Sequence, residues 1–335
     1  MPQSPAVVFP ARRQVEFRAI TVPDMGPDEV VVRTTWSWIS NGTEGSFLRG
    51  ERVNGETPWR PGDPEPFPLV AGYQRVGVVE AVGDQVTECT VGQTVFATMT
   101  RVEGMHFEAG GHVFRGPVHR SQIWTLPDGL EPRAASGLVL TQVGYNCGAR
   151  PTLSPGDAAV VIGDGLVGHW AAQTCQARGA RVALLGRHPG RLSRFQAGAG
   201  DRAVDTHAEE DLAAVGAWAP EGVQAIIDTV GSVDTLVRLF PRLRHDGHLV
   251  SAGFCGEKGT IDIQLLRFRE ATLHSPSGWS RPRMDATLAW LAEGRLRTLD
   301  LVTHTFPAAR AAEAWELIEG AHETTLGVLL DWSNV

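Results

Sequence analysis

The hexad Gly163-Asp164-Gly165-Leu166-Val167-Gly168 has the spacing of a turn that brings backbone against a pyrophosphate. Gly163 permits the tight turn, Gly165 lets a phosphate approach, and Gly168 lets a helix pack closely on a sheet. Leu166 and Val167 open that helix, whose first N–H groups and positive dipole end suit an anion. About twenty residues further on, a site for NAD places an Asp or Glu on the ribose 2′-hydroxyl. This chain has Gly186 there, then Arg187, His188 and Arg191. A small residue leaves room for a 2′-phosphate, and a guanidinium can bind it through two hydrogen bonds. The pattern predicts NADP(H) rather than NAD(H). The alternatives are a glycine turn with no ligand, a methyltransferase-type nucleotide loop, or arginines that are merely solvated.

These residues must be held by the right elements. Residues 158–162 are all apolar and predict a strand buried on both faces. Val167, Ala171 and Cys175 put one apolar stripe on a helix that Gly179 ends, and 181–185 predicts a second buried strand. Strand, glycine turn, helix and strand in that order raise the hexad above a chance match. Further strands at 225–228 and 248–253 end beside Thr229 and at Gly253, where strand ends of an open α/β sheet face a ligand crevice. A last strand is expected at 271–274.

Before this region the chain alternates short β-type runs with Pro and Gly breaks, at 6–9, 29–33, 77–83 and 93–97. That pattern predicts a barrel-like, largely antiparallel β domain. Residues 50–67 form a long Pro/Gly-rich loop containing Trp59, and 101–120 a second loop or hairpin with His106, His112 and His119 in no ligand-like spacing. A helix is expected over 131–147, and after the sheet come helices at 284–292 and 308–319 and a strand at 327–330. The reading is α/β: a doubly wound Rossmann sheet over 141–276, with a β-rich domain over 1–140 and 277–335.

Composition narrows the class. With 335 residues, 42% hydrophobic and 20% charged, the chain has the make-up of globular domains. A net charge of −8 argues against nucleic acid or an anionic membrane surface as partner. Lys258 is the single lysine, which excludes a Walker P-loop; it falls in a polar turn read as solvated. No apolar run reaches the roughly 18 residues of a membrane span. Four cysteines without a CxxC pair support neither a disulfide framework nor a structural zinc, so a reduced, cytoplasmic protein is expected.

The layout and motifs together resemble the medium-chain dehydrogenase/reductase superfamily over nearly the whole chain, with a GroES-like catalytic domain before the Rossmann domain. Leu69-Val70-Ala71-Gly72-Tyr73-Gln74 is similar to the segment in which Gly-His-Glu opens a glycine- and valine-rich strand. Ser40-Asn41-Gly42-Thr43-Glu44 sits where zinc-dependent alcohol dehydrogenases carry Cys-Gly-Thr-Asp, and Val139 where a third ligand is expected. Ile39–Glu44, Leu69–Tyr73 and Leu291–Leu296 most resemble the bacteriochlorophyllide a dehydrogenase-like branch. The resemblance thus puts Asn41, Tyr73, Gln74 and Val139 at zinc-site positions. They do not supply three His, Cys or carboxylate ligands, so no catalytic zinc is expected.

Without a metal, something else must stabilise a carbonyl oxygen and supply its proton, and hydroxyl groups can do both. The resemblance makes Thr43 the relay hydroxyl and points Tyr73 into the same cleft, with Glu44 tying down the loop; the alternative is that both merely pack. It also places Tyr145 near that cleft, and lets Trp38, Trp59 and Trp279 border it as an aromatic wall for a bulky substrate. A zinc-independent NADP(H) oxidoreductase acting on a carbonyl or alcohol of a small molecule is the expectation. Alternatives are a quinone or enone reductase, since Asn41 resembles an asparagine of those relatives, and an NADPH-binding protein without catalysis. A homodimer through residues 271–274 is expected from the same resemblance.

Overall fold

The computed structural model describes residues 2–256, 259–320, 322 and 324–335; Lys258 lies outside the described residues. The chain divides into two units, Met1–Val139 with Val302–Val335, and Leu140–Leu301.

The second unit is built on one parallel sheet. Its strands lie in the order Arg202–Asp205, Arg181–Gly186, Ala158–Ile162, Val223–Asp228, Leu243–Ser251 and Thr272–His274. Numbered from Ala158–Ile162, that is the 3-2-1-4-5-6 order of a Rossmann sheet, whose strand order reverses beside the central strand. All five residues of Ala158–Ile162 are buried, as an apolar run in mid-sheet requires. Apolar clusters cover both faces. One joins Val160, Ile162, Val215 and Phe240; the other joins Val161, Ala171, Cys175 and Phe195.

The helix Leu166–Ala177 follows the turn and ends before Gly179, whose φ is +85°. It is buried on more than the one expected stripe, since Trp170 and Thr174 pack on Gly144 and Gly148 of the helix Leu138–Ala149. A Cβ at Gly148 would come within 2.6 Å of the Thr174 Cβ, so the two helices touch through bare backbone.

Three expectations are corrected here. The helix expected over 131–147 is two, Pro132–Ala135 and Leu138–Ala149, because the chain bends where Gly137 meets the Trp38 ring. The helix Arg281–Ala292 stays with the second unit, so the return to the first falls at Val302 rather than 277. What holds it is side-chain contact: Trp290 meets Tyr145 edge to face at 5.0 Å, and Gln173 accepts from the Arg297 N–H at 2.8 Å. The third helix begins at Ala311, after a 3₁₀ turn over Ala308–Arg310.

The first unit is the barrel-like β structure expected. A seven-stranded sheet centres on Glu29–Trp38, which pairs with Arg75–Val82, Arg115–His119 and Gly327–Asp331, all antiparallel. The loop over 50–67 carries a small hairpin, Arg52–Asn54 with Thr57–Pro58. No helix among the described residues is long and apolar enough to cross a membrane.

His169, next to the last glycine of the hexad, is 1% exposed. Burial pulls its pKa down from 6.5 to about 4, despite a hydrogen bond with the Arg191 backbone and the nearby Asp164 charge. The unfolded chain takes this proton near pH 6.5 and the folded chain resists it, so stability falls as pH drops from about 6.5 to about 4. Chemical denaturation across that window should show a loss of up to about 3 kcal/mol. His169→Gln should flatten the slope.

Candidate functional site

In the second unit the three glycines of the hexad have different reasons to be glycine. Gly163 has φ +116°, a conformation that L side chains rarely adopt. A Cβ at Gly168 would run into the Gly163 carbonyl, so helix and strand meet only because position 168 is bare. Gly165 is otherwise. Its φ is −80° and its ψ −179°, ordinary extended backbone, and a Cβ there would meet nothing within 4 Å. The fold has no need of glycine at 165, whereas a close ligand would.

Gly165 is also the N-cap position of the helix Leu166–Ala177, and among the described residues no side-chain cap bonds the freed N–H groups. The first N–H groups of this twelve-residue helix thus face this point as open donors at its positive end. Beside them lies a cavity of about 550 Å³ whose lining includes Asp164, Gly186, Arg187, His188, Thr206 and Val230. Thr229 Oγ1 donates to the Ile162 carbonyl at 2.8 Å, tying together two strand ends. Asp228, fully buried, accepts from the N–H groups of Val230, Gly231 and Ser232 and so shapes the rim of the cavity. Burial pushes its pKa up, against those three donors. Gly253 is packed on Gly231, where a Cβ would strike the backbone.

The expectation that this corner lacks an acid is corrected. Asp164 stands beside Gly186, and a Cβ at 186 would collide with its carboxylate. The acid therefore comes from the glycine turn rather than from the end of the second strand. It is already engaged: Oδ2 accepts from the N–H groups of Arg187 at 2.7 Å and His188 at 2.8 Å, and both oxygens lie 3.0 Å from His188 Nδ1. Arg191 lies near it too, Nη1 3.9 Å from Oδ1. Arg187 is exposed, and its guanidinium makes no hydrogen bond or ion pair with the described residues.

In the first unit, Ser40-Asn41-Gly42-Thr43-Glu44 is not a loop but the start of the helix Asn41–Leu48. Its first turn brings Ser40 and Thr43 to the Tyr73 phenol, which hydrogen-bonds with both side chains. The phenol end is enclosed, and that desolvation pushes its pKa well above the ordinary tyrosine value; the Glu44 charge adds to the rise and the two hydroxyls oppose it. Tyr73 therefore stays protonated, a donor, at any ordinary pH. Asn41 Nδ2 donates to the Leu326 carbonyl at 2.8 Å, while its Oδ1 is buried with no partner among the described residues. Gln74 is buried with Nε2 3.2 Å from the Trp38 carbonyl, and Val139 is 3% exposed.

Glu44 ties down the turn as expected, accepting from the Ser40 N–H at 2.8 Å. Its other oxygen meets His112 Nε2 at 2.9 Å, in a pair 3% and 0% exposed. His112 Nδ1 is 2.9 Å from Ser37 Oγ, which also accepts from Trp332 Nε1 at 2.8 Å. With Trp332 donating, the Ser37 hydroxyl can donate to Nδ1, leaving the Nε2 proton for Glu44. His112 was legible only as one of three loop histidines, and Ser37 and Trp332 carried no motif. The His112 ring also lies under Gly72, whose φ is +84° and whose Cβ would come within 2.6 Å of it.

The aromatic residues divide. Trp38 is wholly buried against Gly137, so its expected place in a substrate wall is corrected: it is core. Trp59 is half-buried in the hairpin loop, with the Arg12 guanidinium 4.4 Å from its ring and its Nε1 3.2 Å from the Asp63 carbonyl. Trp279 is half-buried. Tyr145 belongs to the second unit and packs on Trp290.

Comparison with known proteins matches one family model within each unit. The family model described as alcohol dehydrogenase GroES-like domain matches residues 26–120, and that described as zinc-binding dehydrogenase matches 167–293. The chain is similar to 2-desacetyl-2-hydroxyethyl bacteriochlorophyllide A dehydrogenase of Cereibacter sphaeroides, 27% identical over 337 aligned positions and 98% of each chain. Two solved structures share its fold. One is the Escherichia coli alcohol dehydrogenase RspB complexed with NADH, at TM-score 0.83 and 21% identity, covering 99% of this chain and 100% of that one. The other is a zinc-binding dehydrogenase from Sinorhizobium meliloti bound to NADP, at TM-score 0.81 and 18% identity with the same coverage.

Proposed function

Because the chain belongs to the medium-chain dehydrogenase/reductase superfamily, we propose that it is an oxidoreductase that uses NADP(H) without zinc on a carbonyl or alcohol of a small molecule. The observation that carries the reading is Gly165: a residue bare on a side where the protein itself puts nothing, at the uncapped end of a helix. The nicotinamide cofactor, when bound, gives or takes the hydride. The residues proposed to hold it are Gly163, Gly165 and Gly168 with the Leu166 and Val167 backbone at the pyrophosphate. Thr229 and Gly253 serve at the strand ends, and Gly186, Arg187, His188 and Arg191 at the adenosine end.

The 2′-phosphate is assigned to Arg187 because its guanidinium is exposed, lines the cavity and is unengaged among the described residues. Zinc independence rests on donor chemistry. Asn41, Tyr73, Gln74 and Val139 are not a zinc set, and the nearby carboxylate and imidazole, Glu44 and His112, are spent on each other. In place of a metal the Tyr73 phenol, with Thr43 beside it, donates the hydrogen bond and the proton to a substrate oxygen. Trp59 and Trp279 remain as aromatic surfaces for a bulky substrate. A homodimer fits the same proposal, since among the described residues Thr272–His274 ends its sheet with one strand neighbour and Leu273 is 36% exposed.

Three measurements test this. Arg187→Ala should weaken NADPH binding by about 1.5–3 kcal/mol while changing NADH binding little, since a charge-assisted contact to the 2′-phosphate is lost. Equal loss of both cofactors would sink the NADP(H) assignment. Tyr73→Phe should lower kcat about a hundredfold with NADPH affinity kept, and dialysis against a chelator should leave wild-type turnover intact. Turnover that disappears with the chelator and returns with zinc would contradict the metal-free reading.

A further inference from the structure

Asp164 is the residue of the glycine turn that sequence reasoning passed over, and its surroundings give it a role. It is 5% exposed and fills the space at the end of the Arg181–Gly186 strand, where only a glycine at 186 leaves it room. A carboxylate in that corner would ordinarily accept from ribose hydroxyls. Here Oδ2 is taken up by the protein, and Oδ1 faces the His188 ring and Arg191. The N–H groups of Arg187 and His188 both reach Oδ2, and the His188 ring sits 3.0 Å from each oxygen. Two successive peptides are thereby turned inward on one oxygen, which fixes the backbone from which Arg187 leaves toward the cavity.

The charges agree with this geometry. Arg191 Nη1 lies 3.9 Å from Oδ1, and the Arg187 guanidinium makes no ion pair with the described residues. The carboxylate thus faces inward to His188 and Arg191, and one guanidinium is left over for a ligand. We infer that Asp164 is a positioning residue for cofactor choice: by clamping the Gly186–His188 turn it holds Arg187 to meet a 2′-phosphate and withholds its own oxygens from a 2′-hydroxyl. The inference rests on the NADP(H) reading above. It assigns to the middle of the glycine turn a selectivity that strand-end residues otherwise set.

The test uses the full-length apoprotein, titrated with NADPH and with NADH by quenching of tryptophan fluorescence, alongside thermal unfolding. Wild type should bind NADPH more tightly. Asp164→Ala should weaken NADPH about tenfold and NADH by less than about twofold. Asp164→Asn should restore most of the preference, because both N–H groups use a single oxygen that an amide also offers. If the alanine variant does not fold, Asp164→Glu decides: it keeps the charge but not the distance, and should lose the preference.

A merely structural role would lower the unfolding temperature and weaken both cofactors equally, and that result overturns the inference. So does a preference for NADPH that the alanine or glutamate variant retains, which leaves the NADP(H) reading standing. A wild-type preference for NADH overturns that reading, and this inference with it.

Discussion

The second unit depends on one contact, the approach of the Gly168 backbone to the Gly163 carbonyl, which a single methyl group would prevent. It lets the helix Leu166–Ala177 start where the central strand ends. The helix axis, its dipole and its uncapped N–H groups are then aimed past the strand ends. The flanking strands bring the rest to the same rim. Ile162 lies level with Leu185 and with Asp228, so the turns after all three strands line one cavity. Helix packing reinforces the arrangement, since Gly144 and Gly148 let a neighbouring helix settle on Trp170 and Thr174.

The first unit solves a different problem, how to keep polar chemistry inside a β-rich fold. Its answer is a continuous chain of hydrogen bonds from Ser40 through Glu44, His112 and Ser37 to Trp332. A carboxylate 3% exposed would be costly alone; paired with an imidazole and a backbone N–H it is satisfied, and it specifies where the helix Asn41–Leu48 begins. That start is what brings Ser40 and Thr43 to the Tyr73 phenol. Ser40 belongs to both sets, so the hydroxyl cluster is tied through it to the buried Glu44–His112 pair.

Much of this was legible in the sequence, for reasons that can be named. Apolar runs buried on both faces read as parallel strands, and the glycine spacing read as a turn, because both depend on residues close in the chain. The barrel-like first unit was legible from its short strands and frequent turns. Other features were hidden because their partners are far apart: Glu44 and His112 are 68 residues apart, and Ser37 and Trp332 are 295. Asp164 was hidden differently. Strand-end reasoning looks at 186 and finds a glycine, whereas the fold supplies the acid to the same space from the preceding turn. Trp38 misled because an aromatic near a motif reads equally as wall or core, and only packing against Gly137 decides it.

The central claim, that a dinucleotide lies on the turn at Gly165, is tested most directly by Gly165→Val. The backbone there is extended, which suits a β-branched residue, and the added atoms start in a space where the protein has none within 4 Å. The variant should fold, with an unfolding temperature within about 3 °C of wild type, the cost being that of a weaker helix cap. Fluorescence titration should show NADPH bound by wild type at one per chain and its affinity reduced at least about a hundredfold in the variant. A variant that is equally stable and binds NADPH within about twofold of wild type would contradict the account.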